Sequence, residues 1–141
     1  MLYTSYFAKL KQLPPNVIPV SICGKAPSWY TGQQYKKLAP KYSFFAQWKE
    51  NHDNDFYVQH FNAEVLEQLE FSRVINELQL LLPYDIRCVM NSSFFDNSEW
   101  HIALICYEKP GDFCHRHLVA EWFKAHGIHC EEYQFQKESN R

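Results

Sequence analysis

Short runs of apolar, β-branched residues alternate along the chain with longer segments in which apolar residues recur every three or four positions. The first pattern is typical of buried strands and the second of amphipathic helices. The strongest strand candidates are residues 17–23 and 101–107, and residues 2–6 form a weaker one. Pro19 favours an edge position or a strand start, because proline cannot donate a hydrogen bond to a neighbouring strand.

Four segments show helical periodicity. The clearest is residues 71–82, where six apolar side chains share one face before Pro83 ends the helix. A second helix is predicted from Ala39-Pro40 to about Asn51. A third begins at a cap at Asn54 or Asp55, and its apolar stripe reaches Leu69. The fourth runs from a cap at Asp112 to about His126.

Strands and helices alternate, and further strands are predicted at residues 86–90 and 128–135. This order is typical of α/β proteins. At 141 residues, of which 46% are hydrophobic, the chain suits one domain with a sizeable core. We therefore expect a small single α/β domain over residues 1–141, with a mostly parallel sheet and helices on both faces.

Composition narrows the class of protein further. Five cysteines are few and odd in number, so a disulfide framework is not expected. No apolar run approaches the ~18 residues that a membrane span needs. The first residues lack the charged-then-apolar order of a signal peptide. These features predict a soluble protein of the cytoplasm that does not associate with membranes.

Charge is distributed unevenly along the chain. Residues 1–50 contain seven lysines and one acidic residue, whereas residues 51–141 contain seven basic and fifteen acidic residues. The basic half is also rich in aromatic residues, which can stack on bases while lysines attract phosphates. This combination predicts a phosphate-bearing partner, either a nucleotide or a piece of nucleic acid. The alternative is that the aromatic residues are core and the lysines only solubilise the protein. The candidate ligand-binding residues here are Lys25, Trp29, Tyr30 and Lys36.

The densest chemistry lies in residues 106–117. Cys106 and Glu108 are predicted at the carboxyl end of a central strand, and Cys114, His115 and Arg116 in the first turn of the next helix. Ligands of open α/β sheets bind outside the carboxyl ends of the strands. A helix N-terminus and an arginine both suit an anion. Arg116 is therefore the leading candidate to bind the phosphate.

The same stretch could carry catalysis. Cys114 is a candidate nucleophile, Glu108 and His115 are candidate acid–base groups, and Cys106 is a further candidate. Each also has a structural alternative as a buried thiol, a loop hydrogen bond or an ion pair. Arg116 is wrongly spaced from either cysteine for a cysteine-based phosphatase.

A zinc site is a further alternative at this stretch. It could draw on Cys106, Cys114, His115 or His117, with His129 and Cys130 as further candidates. No C-x-x-C pair is present, and helix geometry places His115 and His117 about 200° apart. We therefore assign no metal ligands. The sequence does not identify a cofactor.

Three blocks of the sequence resemble the domain-of-unknown-function family 488. The first is Ile105-Cys106-Tyr107-Glu108-Lys109-Pro110 followed by Cys114-His115-Arg116-His117-Leu118. The others are Tyr3-Thr4-Ser5-Tyr6, and Cys23-Gly24-Lys25-Ala26-Pro27 with Trp29 and Leu38-Ala39-Pro40. The resemblance covers most of the chain, but the sequence departs from the family's pattern at about residues 83–100. It implies a small α/β fold in which the blocks meet and implies no settled reaction. Ser5, in the Tyr3-Thr4-Ser5-Tyr6 block, joins the candidate ligand-binding residues.

Three hypotheses follow for function. The first is an enzyme-like α/β domain that binds a phosphate-bearing ligand through Arg116, Lys25 and the nearby aromatic residues. The second is a non-catalytic module that binds its ligand in the same pocket. The third is a domain that binds a protein partner through an aromatic loop at residues 29–35.

Overall fold

A five-stranded parallel sheet organises the protein. The computed structural model describes residues 1–82 and 100–135. The strands are β1 (Leu2–Tyr6), β2 (Val17–Ser21), β3 (Gln33–Gln34), β4 (His101–Cys106) and β5 (Cys130–Glu132), arranged in the order β3-β2-β4-β1-β5. All four neighbouring pairs are parallel, which confirms the predicted α/β class. The strand predicted at residues 86–90 lies outside the described residues, as does Pro83.

The strand at residues 2–6, the weaker candidate, lies inside the sheet between β4 and β5. β3 was not predicted, because two exposed glutamines carry no strand pattern. β3 pairs only with Val20 and Ser21, so Pro19 precedes this pairing and its missing N–H removes no bond to β3.

The described α-helices are α1 (Tyr42–Asn51), α2 (Asn54–Glu64), α3 (Phe71–Leu80) and α4 (His115–Ala125). The predicted cap of α2 is off by one residue, because the side chain of Asp53 accepts the hydrogen bond from the Phe56 N–H. The cap predicted at Asp112 is wrong. Asp112 donates its N–H to Lys109 O within the preceding turn, and Cys114 occupies the N-cap position of α4.

The sheet is buried on both sides at its centre. Five consecutive residues of β4, Ile102–Cys106, are buried, which is typical of a parallel strand covered on both faces. The helices also contact one another, since Phe61 of α2 packs against His115 of α4 and Phe71 of α3 packs against Phe123 of α4. No helix in the described part of the chain combines the length and apolar character needed to cross a membrane.

The connections after β2 and β4 run in opposite directions. β2 leads to β3 at the edge, whereas β4 leads across β1 to β5. Because β2 and β4 are neighbours, the segments that follow them leave a crevice between the two carboxyl ends. This is the place where ligands bind in open α/β sheets.

Candidate functional site

A cavity of about 520 Å³ occupies the crevice at the carboxyl ends of β2 and β4. Among the described residues, its walls come from four parts of the chain. They are Cys23–Lys25 after β2, the segment from Cys106 to Glu108 at the end of β4, and Pro40, Tyr42, Phe45 and Lys49 in and before α1, with His115 of α4. The structure therefore brings together four of the predicted site residues, Lys25, Cys106, Glu108 and His115.

Several cavity residues were not among the sequence candidates, and three of them belong to α1. Tyr42 and Lys49 line the cavity from α1, together with Phe45. Their positions follow the i, i+3, i+7 spacing of one helix face. That spacing is visible in the sequence, but it identifies a cavity wall only once α1 is known to lie over the carboxyl end of β2.

Cys106 and Cys114 are joined by a disulfide. This pairing was not predicted from the sequence, in which the two cysteines are eight residues apart and separated by a turn. The prediction that Cys114 is a nucleophile can therefore apply only to the reduced protein. Cys23 is a free buried thiol, and burial raises its pKa to about 12, so it is protonated at neutral pH.

His115 is held in one orientation by the main chain. Its Nε2 lies 2.8 Å from the carbonyl oxygen of Ile22, the residue after β2. A carbonyl only accepts hydrogen bonds, so this contact assigns the ring proton to Nε2. Nδ1 is then unprotonated, and it faces Cys114 Sγ at 3.9 Å. Burial lowers the pKa of His115 to about 4, so the ring is neutral at pH 7.

His115→Gln is expected to reduce the loss of stability in mild acid. The pKa of His115 lies below its ordinary value of 6.5 in the folded protein, so the unfolded chain takes up a proton first as the pH falls. The free energy of unfolding contributed by this group is therefore present above pH 6.5 and lost toward pH 4. Between pH 7 and pH 5 the wild type should lose on the order of 2 kcal/mol more than the variant. Urea denaturation at both pH values measures this, and equal losses would contradict it.

Arg116 does not have the position predicted for an anion-binding residue. Its side chain is fully buried and forms a two-pronged ion pair with Glu132 of β5, through Nε at 2.9 Å and Nη2 at 3.0 Å. Nη1 donates to the carbonyl oxygen of Glu108 and lies 3.5 Å from Cys106 Sγ. The guanidinium is therefore occupied by the protein itself. This placement corrects the expectation that Arg116 binds the ligand and makes it a residue that positions the strand-to-helix turn.

Glu108 is the acidic residue of the cavity wall. Its side chain is half-buried, and Oε2 lies 3.3 Å from Cys106 Sγ. Its main-chain carbonyl is fixed by Arg116. Glu108 thus keeps the position that an acid–base residue would need, beside the cavity.

The other candidate ligand-binding residues do not line this cavity. Tyr30 is buried, and its hydroxyl donates to the Gln33 carbonyl at 2.6 Å, which secures the loop after β2. Trp29 is 56% exposed and contacts the Phe7 ring. Lys36 is exposed in a short 3₁₀ helix, and Ser5 is buried in β1 beside Ile105 of β4. Of the candidates Lys25, Trp29, Tyr30 and Lys36, only Lys25 therefore lines the cavity.

Comparisons with known proteins do not place the chain in a family. A scan against protein-family models, a search of curated proteins and a search of solved structures each found no match. The resemblance to family 488 is neither supported nor contradicted, and it stays a prediction.

Proposed function

We propose that the protein binds a small phosphate-bearing ligand, of the size of a nucleotide, in the cavity at the carboxyl ends of β2 and β4. The observation that carries this proposal is the position of two lysines, Lys25 and Lys49, in the wall of one cavity at that edge of the sheet. The two lysines are far apart in the sequence. Lys25 reaches the cavity from the segment after β2, and Lys49 reaches it from α1.

The charge and size of the cavity support an anionic ligand. Among the described residues, its wall contains two lysines, Lys25 and Lys49, and one acidic residue, Glu108. The volume of about 520 Å³ falls within the ~300–1,000 Å³ typical of small-molecule sites. A lysine ammonium offers three donors and a full charge to a phosphate group.

Aromatic residues support a flat ligand body beside the phosphate. Tyr42 is 82% exposed at the mouth of the cavity, so its ring face is free for stacking. Tyr107 lines the cavity from the segment after β4. Its hydroxyl donates a hydrogen bond to the Lys25 carbonyl oxygen at 2.7 Å. This bond ties the segment after β4 to the segment after β2. A base could stack on such rings while its phosphate meets the lysines.

Binding is proposed here in preference to catalysis. The predicted nucleophile, Cys114, is bonded to Cys106, and the predicted anion-binding residue, Arg116, is bonded to Glu132. Glu108 retains a place for acid–base chemistry at the cavity. A reaction would therefore depend on Glu108 or on reduction of the disulfide, whereas binding needs neither.

Lys25→Ala and Lys49→Ala are each expected to weaken binding of nucleoside monophosphates about tenfold or more. A hydrogen bond to a charged group contributes roughly 1.5–3 kcal/mol, which corresponds to this loss. Isothermal titration calorimetry with adenosine and guanosine monophosphates measures the change. The parent nucleosides lack the phosphate, so their affinities for the variants and for the wild type should differ much less.

Lys36→Ala is the matched control, because Lys36 is an exposed lysine of the same basic half that does not line the cavity. It should leave the affinity unchanged. If Lys36→Ala weakened binding as much as Lys25→Ala, the attraction would come from the overall charge of the surface and not from the cavity.

A further inference from the structure

Three soft or borderline metal-ligating groups meet at the turn between β4 and α4. The ligand atoms of Cys106, Cys114 and His115 all lie within 4.8 Å of one another, and all three residues are buried. They come from the end of β4, the N-cap position of α4 and its first residue. Two thiolates and an imidazole are a ligand set that zinc prefers.

From this cluster we propose that the reduced protein binds one zinc ion through Cys106 Sγ, Cys114 Sγ and His115 Nδ1, with the Glu108 carboxylate as the fourth ligand. The site does not depend on the proposed nucleotide. It shares a wall with the cavity, since Cys106, Glu108 and His115 line both.

The orientation of His115 supports the site. A histidine that binds a metal typically donates its other ring N–H to a carbonyl or carboxylate, which fixes the ring. His115 does this through Nε2, bonded to Ile22 O at 2.8 Å, and so leaves Nδ1 with a free lone pair. Nδ1 lies 3.9 Å from Cys114 Sγ, near the separation of two ligands around one tetrahedral zinc.

The surroundings of Cys106 suit a thiolate. Arg116 Nη1 lies 3.5 Å from Cys106 Sγ and can donate a hydrogen bond to it. This donor is itself fixed by the Arg116–Glu132 ion pair. Glu108 Oε2 lies 3.3 Å from the same sulfur, so its carboxylate can join the same ligand set. Two of the three ligands, His115 and Cys106, thus have a hydrogen-bond partner of the kind that orients ligands around a metal.

The zinc site and the disulfide exclude each other, because zinc binds the thiolates. A reducing dithiol opens the Cys106–Cys114 bond by giving two electrons and two protons and becomes a disulfide itself. Zinc then replaces the two thiol protons, which are released to water. Zinc binding should therefore require reduction, and oxidation of the pair should release the metal.

Cobalt(II) titration under anaerobic conditions tests the site without any nucleotide. Wild-type protein reduced with a phosphine, which takes up water oxygen as it supplies two electrons, should bind one cobalt and show thiolate-to-cobalt charge-transfer absorption that zinc abolishes. The oxidised wild type should not. Cys114→Ser and His115→Gln should bind cobalt about tenfold more weakly or worse. Cys23→Ser is the matched control, a buried cysteine of the same cavity outside the cluster, and should bind normally.

Reduced wild-type protein without charge-transfer absorption would overturn the proposal, as would equal cobalt binding before and after reduction. Equal binding by Cys114→Ser and the wild type would overturn it as well. The comparison of oxidised and reduced wild type needs no substitution, so it stands even if a variant fails to fold. Failure of the zinc site would leave nucleotide binding by Lys25 and Lys49 to be judged on its own titration.

Discussion

Glu132→Ala is expected to lower the free energy of unfolding by about 3–5 kcal/mol, the loss typical when one partner of a buried ion pair is removed. Arg116 is fully buried, and both prongs of its fork bind Glu132. Without that carboxylate the guanidinium keeps its charge in a site that excludes water. Glu132 also accepts a hydrogen bond from Thr4 Oγ1 at 2.6 Å, so the substitution also frees a buried hydroxyl of β1.

Glu131→Ala provides the matched control, because Glu131 is the preceding residue of the same strand. It is exposed and pairs only with the exposed His129 among the ion pairs of the described residues. Such a surface pair contributes between about 0 and 1 kcal/mol. Urea denaturation of both variants measures the difference. A loss for Glu132→Ala no larger than that for Glu131→Ala would contradict a structural role for the Arg116–Glu132 pair.

Phe61→Ala is expected to cost a similar amount, about 3–5 kcal/mol, because it opens a cavity at the centre of the helix layer. Phe61 is fully buried in α2, and its ring contacts Phe44, Tyr57 and His115. The last contact matters for the site, since Phe61 supports the ring of His115 from the side of α2. The substitution should therefore also broaden or shift the NMR signals of His115.

Phe56→Ala is the control for this prediction. Phe56 lies one and a half turns earlier on α2 and is only half-buried, so its removal should cost clearly less than that of Phe61. Thermal and urea unfolding of the two variants give the comparison. Equal losses would show that the ring of Phe61 is not the better packed of the two.

Hydrophobic pattern was enough to predict the frame of the fold. β4 is a continuous apolar run buried on both faces, and α3 has an unbroken stripe that includes the buried Val74 and Leu78. Such elements can be predicted from local sequence, because their apolar residues are either contiguous or regularly spaced along the chain. The parallel α/β order followed from their alternation.

In α4 the helical spacing of His115, Leu118, Val119, Trp122, Phe123 and His126 predicts one buried face. His115, Val119 and Phe123 are buried as predicted, whereas Leu118 and Trp122 are only half-buried and His126 is exposed. The buried face also includes Arg116 and Ala120, which the spacing did not predict. Trp122 lies at the boundary of this face, where its ring packs against Phe71.

Pairings between distant residues could not be read from the sequence. Arg116 is the clearest case, since a buried arginine needs a carboxylate and Glu132 is one of sixteen acidic residues in the chain. Only the parallel pairing of β5 with β1 brings Glu132 beside Thr4 and within reach of Arg116. The sequence placed the candidate residues at the edge of the sheet where the structure has its cavity, but it assigned the anion to Arg116, whose guanidinium is paired with Glu132 inside the protein.

The most direct test of the cavity as the ligand site is an NMR titration of the ¹⁵N-labelled wild type with adenosine monophosphate. We expect the largest amide shifts at Gly24, Lys25 and Tyr107 and in α1 near Lys49, which surround the cavity. Shifts confined to the exposed loop around Trp29, or no shifts at millimolar nucleotide, would contradict the assignment of this cavity as a nucleotide site.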